Sequence, residues 1–322
     1  MLWLPILLLL AGFAILIKGA DFLVNGASSS AKKYGVSNLA IGLTVVAFGT
    51  SAPELIVSLM SALDGKSDAS FGNVIGSNNF NLLFILGVSG LIYPLVVQRN
   101  TVKYEVPLSL LALAVLYLLV NDSLLWKSTA GNLLTRIDSL ILLGFFGLFL
   151  GYIYRTMKNA SDYSEEASIK IYSTPISIGM IILGLAMLVG GGKLVVDNAI
   201  ELANHFGLSE KLIGLTILAA GTSLPELATS AVAAYRKNTD IAIGNVVGSN
   251  IFNIFFILGI TGLIQPIHYN PEMNFDMQVL AVATVVLMIF MFTLNQRKLD
   301  RWEAAMFLCG YITYTAFLIG MG

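Results

Sequence analysis

One passage of this chain is written twice. GTSAPEL at 49–55 returns as GTSLPEL at 221–227 with six identities in seven, and GNVIGSNNFN at 72–81 returns as GNVVGSNIFN at 244–253 with eight in ten. Both recurrences share an offset of 172, at which Gly42, Thr44, Gly87 and Pro94 also meet Gly214, Thr216, Gly259 and Pro266. Ten apolar runs surround the copies, at 2–24, 37–62, 70–93, 104–120, 136–155, 175–197, 211–235, 241–264, 276–294 and 302–320. Each is close to the ~20 residues that a helix needs to cross a bilayer. Five runs fall in each copy, and an odd number makes the second copy enter the membrane from the opposite face. The expected fold is an all-α polytopic membrane protein of ten transmembrane helices. They form two inverted five-helix repeats, 1–155 and 175–322, on either side of a 156–174 linker, with helices 2, 3, 7 and 8 broken around a central site.

Composition agrees with this reading. The chain is 57% hydrophobic and 11% charged, with a mean hydropathy of +0.82, whereas soluble domains are roughly 45–50% apolar and about 25% charged. A formal net charge of -1 gives no reason to expect nucleic acid, and a single cysteine, Cys309, closes no intrachain disulfide. The first apolar run lacks a basic leader, so it reads as a spanning helix and not as a cleaved signal. Basic residues set the orientation. Lys32, Lys33, Arg99, Lys103, Arg155, Lys158, Lys170, Arg236, Lys237, Arg297, Lys298 and Arg301 fall on one side, 12 against the 5 of Lys66, Lys127, Arg136, Lys193 and Lys211, with Lys18 inside the first helix. The positive-inside bias puts the linker in the cytoplasm and both termini outside a cell (inner or plasma) membrane. The linker carries both signs of charge, and nothing in the chain is long enough for a soluble catalytic or regulatory domain.

Chemistry concentrates in the repeated motifs. Glu54 and Glu226 fall near the middle of the second and seventh runs, where an unpartnered carboxylate costs at least ~2.5 kcal/mol. No Lys, Arg or His sits within runs two, three, seven or eight away from their ends, so the partner is expected to be an exogenous cation. A protonated glutamate bonding between helices is the plain alternative, and duplication at equivalent positions argues against it. Pro53 and Pro225 remove a backbone donor opposite the carbonyls of Gly49 and Gly221, so each helix should break just before its glutamate. Unwound carbonyls of this kind are cation ligands, and each Glu starts a half-helix whose positive end favours an ionised carboxylate. Thr50 and Ser51, and Thr222 and Ser223, add hydroxyls. Asn73, Ser77 and Asn81 recur every four residues as one stripe, copied as Asn245, Ser249 and Asn253. Gly72 with Gly76 and Gly244 with Gly248 allow close helix approach. Asn78 and Asn250 lie about 100° round the helix from the stripes and are assigned to capping or packing.

All these donors are oxygens, which suits a hard cation such as calcium or sodium and disfavours zinc or copper. His205 and His268 fall in expected loops. The twin motifs resemble the two alpha-repeats of the sodium/calcium exchangers of the cation/calcium antiporter superfamily, and the resemblance spans essentially the whole chain. It implies that Glu54 and Glu226 are central calcium ligands, and that Thr50, Thr222 and the carbonyls of Ala47 and Ala219 complete ion sites. It implies further that Ser51, Ser77, Ser223 and Ser249 line flanking sodium sites, that Asn81 and Asn253 sit at the centre, and that the first and sixth helices slide as a gate. Potassium-dependent relatives place an Asp where this chain has Asn253, so no potassium dependence is expected, and the linker is too short for cytoplasmic calcium-sensing domains. The expected function is antiport of calcium for sodium by alternating access, with the two ions and the bilayer as partners, no cofactor, no catalytic residues and no obligatory protein partner. A calcium/proton antiporter is the nearest alternative, and proton-coupled relatives look different around the glutamates. A cation channel is a second, against which inverted repeats with buried site carboxylates argue. An intramembrane serine protease built on the GTS turn at 49–51 lacks a base.

Overall fold

The computed structural model describes residues 3–98, 101–125, 131–158, 170–206, 219–292 and 297–321. Among them eight helices are long and apolar enough to cross a membrane, or nine if the bent pair in the second run is one span. The helices are α1 (Trp3–Tyr34), α2 (Asn38–Thr50), α3 (Ala52–Leu63), α4 (Ser67–Ile92), α5 (Thr101–Val120), α6 (Arg136–Lys158), α7 (Thr174–His205), α8 (Leu224–Tyr235), α9 (Thr239–Ile264), α10 (Asn274–Phe290) and α11 (Arg301–Met321). The seventh run falls partly on residues 211–218, outside the described ones, and continues as a helical turn at Ala219–Gly221 followed by α8.

Helices α4 and α9 form the centre, 72% and 78% buried against 22–39% for the other spans. They carry the Gly, Ser and Asn of the motifs, and polar side chains at membrane depth need protein around them. The breaks expected in spans three and eight are absent from α4 and α9, which run uninterrupted through π-helical stretches at Phe80–Ile85 and Phe252–Leu258. Neither run contains a proline to remove a helix donor, and the wider π turn absorbs the local strain within the helix. Span two differs: α2 and α3 meet at 46° across Ser51, with Pro53 in the first turn of α3.

α1 and α7 pack against each other along a glycine seam. Gly12 faces Gly191, Gly19 faces Gly184 and Gly26 faces Ser177, an order that makes the two 32-residue helices antiparallel. A Cβ on Gly184 would stand 2.7 Å from the Gly19 carbonyl oxygen, so the backbones touch and the seam tolerates nothing larger. α1 runs ten residues past the expected end at 24 because its polar tail finds partners: Ser29 Oγ lies 2.9 Å from Ser177 Oγ, and Asn238 Nδ2 donates to Ser28 Oγ at 2.9 Å.

Two short antiparallel ribbons tie the halves together. β1 (Leu95–Val96) pairs with β4 (Lys298–Leu299), and β2 (Leu133–Leu134) pairs with β3 (Ile267–His268). His268 therefore sits in a strand, and His205 ends α7; both were expected in loops and both are exposed. Within the 156–174 linker, α6 continues to Lys158 and α7 begins at Thr174, while 159–169 lie outside the described residues.

Candidate cation site

Glu54 and Glu226 occupy the first turns of α3 and α8, and both are fully buried. Pro53 and Pro225 stand in the same first turns, where a missing backbone N–H costs nothing and the fixed φ starts a helix. The preceding turns bring each serine to the other copy's glutamate. Ser51 Oγ donates to Glu226 Oε1 at 2.8 Å and lies 3.0 Å from Ser249 Oγ, while Ser223 Oγ donates to Glu54 Oε1 at 2.9 Å and lies 3.0 Å from Ser77 Oγ. Ser77 Oγ approaches the same Glu54 oxygen at 3.4 Å.

The stripes on α4 and α9 hold the frame. Asn73 Nδ2 donates to the Glu54 carbonyl at 3.1 Å and to Ser58 Oγ at 2.8 Å, and Asn245 Nδ2 repeats both bonds with Glu226 at 3.2 Å and Ser230 at 2.9 Å. Thr50 donates to Asn245 Oδ1 at 3.1 Å, and Thr222 to Asn73 Oδ1 at 3.2 Å. Apart from the 3.4 Å approach of Ser77 to Glu54, each of these bonds has a counterpart 172 residues away. Thr50 also reaches the Ala47 carbonyl at 3.3 Å, and Ser51 N donates to that carbonyl at 3.0 Å, so in this state the Ala47 oxygen is engaged within its helix. The expected carbonyl at Ala219 begins the short turn before Thr222.

Asn78 and Asn250 do more than cap or pack. Asn81 Nδ2 donates to Asn250 Oδ1 at 3.1 Å and Asn253 Nδ2 to Asn78 Oδ1 at 2.9 Å, while Asn78 and Asn250 each donate to the other's backbone carbonyl at 3.3 and 3.4 Å. This cross of four amides sets the orientation of Asn81 and Asn253. Ser58 and Ser230, which steady Asn73 and Asn245, went unremarked in the sequence, although their shared spacing from the glutamates was visible there. Gly244 and Gly248 pack on Leu39, Leu43 and Ala47 of α2, and the positions equivalent to those residues for Gly72 and Gly76 fall mostly at 211–218, outside the described residues.

Four buried oxygens of this assembly have no hydrogen-bond partner among the described residues: Glu54 Oε2, Glu226 Oε2, Asn81 Oδ1 and Asn253 Oδ1. A buried acceptor left unpaired costs about 1–3 kcal/mol, and more when charged. No salt bridge reaches either glutamate among the described residues. Nor do those residues contain a group of three or more His, Cys, Asp or Glu that could hold a metal ion, so the donor set is two carboxylates among neutral hydroxyl and amide oxygens.

A family profile described as sodium/calcium exchanger protein matches residues 4–155 and 176–320. The chain is 31% identical over 349 residues to sodium/calcium exchanger MaX1 of Methanosarcina acetivorans, covering 97% of both, and 34% identical over 320 residues to inner membrane protein YrbG of Escherichia coli, covering 97% of this chain and 95% of that one. A solved structure of the sodium-calcium exchanger NCX_Mj superposes with a TM-score of 0.82 at 34% identity, covering 99% of this chain and 100% of that one. The family shown by these matches is one of membrane transporters of cations including calcium, and this chain is a member of the sodium/calcium exchanger family.

Proposed function

We propose that the chain exchanges calcium for sodium by alternating access, with Glu54 and Glu226 as the shared ligands of the calcium ion. The observation that carries this reading is the set of four buried oxygens unpaired among the described residues, two of them on carboxylates that no described basic side chain reaches. A divalent ion that takes six to eight oxygens at ~2.3–2.6 Å satisfies such a set. Thr50, Thr222 and the Ala47 and Ala219 carbonyls complete its shell, and Ser51, Ser77, Ser223 and Ser249 line flanking sodium positions. Asn81 and Asn253 contribute dipoles at the centre. Two inverted five-helix repeats, 1–155 and 175–322, are supported by the antiparallel glycine seam, by the 172-residue offset of the bonds around both glutamates and by the ribbons that join the halves. The names of MaX1 and NCX_Mj point to the same two ions.

The charge of the site sets the stoichiometry we favour. With both glutamates ionised it carries -2, which one calcium neutralises; the hydroxyls and amides offer more positions than two sodium ions need, so a third gives a loaded state of +1. Exchange is then electrogenic. The linker lies in the cytoplasm and both termini outside. Calcium uptake into proteoliposomes tests the coupling: a sodium gradient should drive it without potassium, and uptake driven by a proton gradient alone would favour the calcium/proton alternative.

A further inference from the structure

Among the described residues the internal two-fold relation is broken where α1 meets α8. On the face that carries the 236–238 loop, Arg236 forms an ion pair with Asp21 and donates to Asn25 Oδ1 at 2.9 Å, while Asn238 donates to Ser28. α1 lies along α8 on this side, and no comparable packing joins α7 to α3. Shifting each residue by 172 turns Arg236 into Asp64, Asp21 into Lys193, Asn25 into Asp197 and Asn238 into Lys66. The offset is the right one for these helices, because the seam glycines Gly12 and Gly19 map by it onto Gly184 and Gly191. The equivalent positions thus carry reversed charges, Asp64 and Lys66 after α3 and Lys193 and Asp197 on α7.

Those four residues form no ion pair with one another across the two elements among the described residues. Lys66 Nζ sits 3.9 Å from Asp64 Oδ2 in its own loop, and neither Lys193 nor Asp197, both exposed, has an ion-pair partner among the described residues. The two sets of residues lie on opposite faces: Lys237 Nζ rests 5.8 Å from the Tyr93 ring, just past the end of α4, whereas 64–66 precede its start. The 26 residues of α4 between them span roughly 39 Å.

We propose that Asp21 with Arg236 and Lys193 with Asp64 are alternating latches for the α1–α7 pair, one closing as the other opens. The proposal rests on the alternating-access reading above, in which one part of the molecule moves against the rest around a fixed site. Exposed ion pairs bias a two-state equilibrium by only ~2–5-fold, a suitable size for contacts that break in every cycle.

The test uses the full-length chain with Cys309→Ser, a protease site in the linker, and one cysteine pair at a time: Asp21→Cys with Arg236→Cys, or Asp64→Cys with Lys193→Cys. A short bis-methanethiosulfonate reagent in proteoliposomes, each end forming a disulfide as methanesulfinate leaves, should join the cut halves through either pair, and exchanging sodium for calcium should raise one crosslink as it lowers the other. Each crosslink should cut exchange at least ten-fold. Failure of the Asp64/Lys193 pair to crosslink in any ionic condition, a parallel rise of both, or undiminished exchange when crosslinked would overturn the proposal. Charge variants give a second readout: Lys193→Asp alone should slow exchange a few-fold and Asp64→Lys added to it should restore the rate, whereas no restoration speaks against the latch. Crosslinks that alternate in a protein showing no sodium-dependent calcium flux would uphold the latches and refute the transport reading instead.

Discussion

Ser51 and Ser223 each give their hydroxyl hydrogen to Oε1 of the glutamate of the opposite copy, and Oε2 of each glutamate has no partner among the described residues. A Gln at either position keeps the volume and still accepts from that serine through its carbonyl oxygen, while one negative charge is gone. A dehydrated divalent ion then meets half its former compensation. Glu54→Gln and Glu226→Gln should therefore each lower calcium exchange by at least ~100-fold (about 2.7 kcal/mol) in protein that remains folded. Exchange near the wild-type rate in either variant, measured on protein of normal elution and melting behaviour, would remove that residue from the site.

At the scale of helices, the α1–α7 seam makes a specific demand on side-chain size. Gly19→Leu inserts a side chain where the Gly184 carbonyl stands 2.9 Å from the ideal Cβ, and should destabilise the detergent-solubilised protein by ~1–3 kcal/mol or more. Gly190→Leu, on the same α7 with nothing within 4 Å among the described residues, should leave the melting temperature nearly unchanged. Much of this layer was legible beforehand. Prolines before the glutamates announced the turn at Ser51, and the four-residue spacing of Asn73, Ser77 and Asn81 placed them on one face of α4. The π stretches at Phe80–Ile85 and Phe252–Leu258 left no mark, because a widened turn needs no special residue. The role of Asn78 and Asn250 was hidden for a different reason. A helical wheel reports which face of its own helix a side chain occupies, and their partners lie on the other copy. The far end of α1 escaped likewise, since Ser28 and Ser29 look like a helix terminus until Asn238 and Ser177 are beside them.

For the molecule as a whole, orientation and voltage are the measurable quantities. Cysteines placed in the 156–174 linker should react with a membrane-impermeant maleimide only from the cytoplasmic side; labelling from outside would invert the topology. If three sodium ions exchange for one calcium, sodium-driven calcium export should accelerate as the interior becomes negative, since one elementary charge moving through 100 mV is worth ~2.3 kcal/mol. A flux that ignores a clamped potential would leave two sodium ions, or a compensating proton. The bonds that cross between copies also have a consequence for synthesis. Ser223 lies 169 residues after the glutamate it serves, so at 5–20 residues per second about 10–30 s pass between the emergence of the two. β1 waits longer still for β4. If residues 1–155 form the proposed first repeat, that half would sit in the bilayer during the interval with an unsatisfied carboxylate, and quality-control proteases should attack it until the second arrives. Residues 1–155 expressed alone should accordingly be degraded, whereas co-expression with 175–322 should recover both fragments as a co-purifying pair.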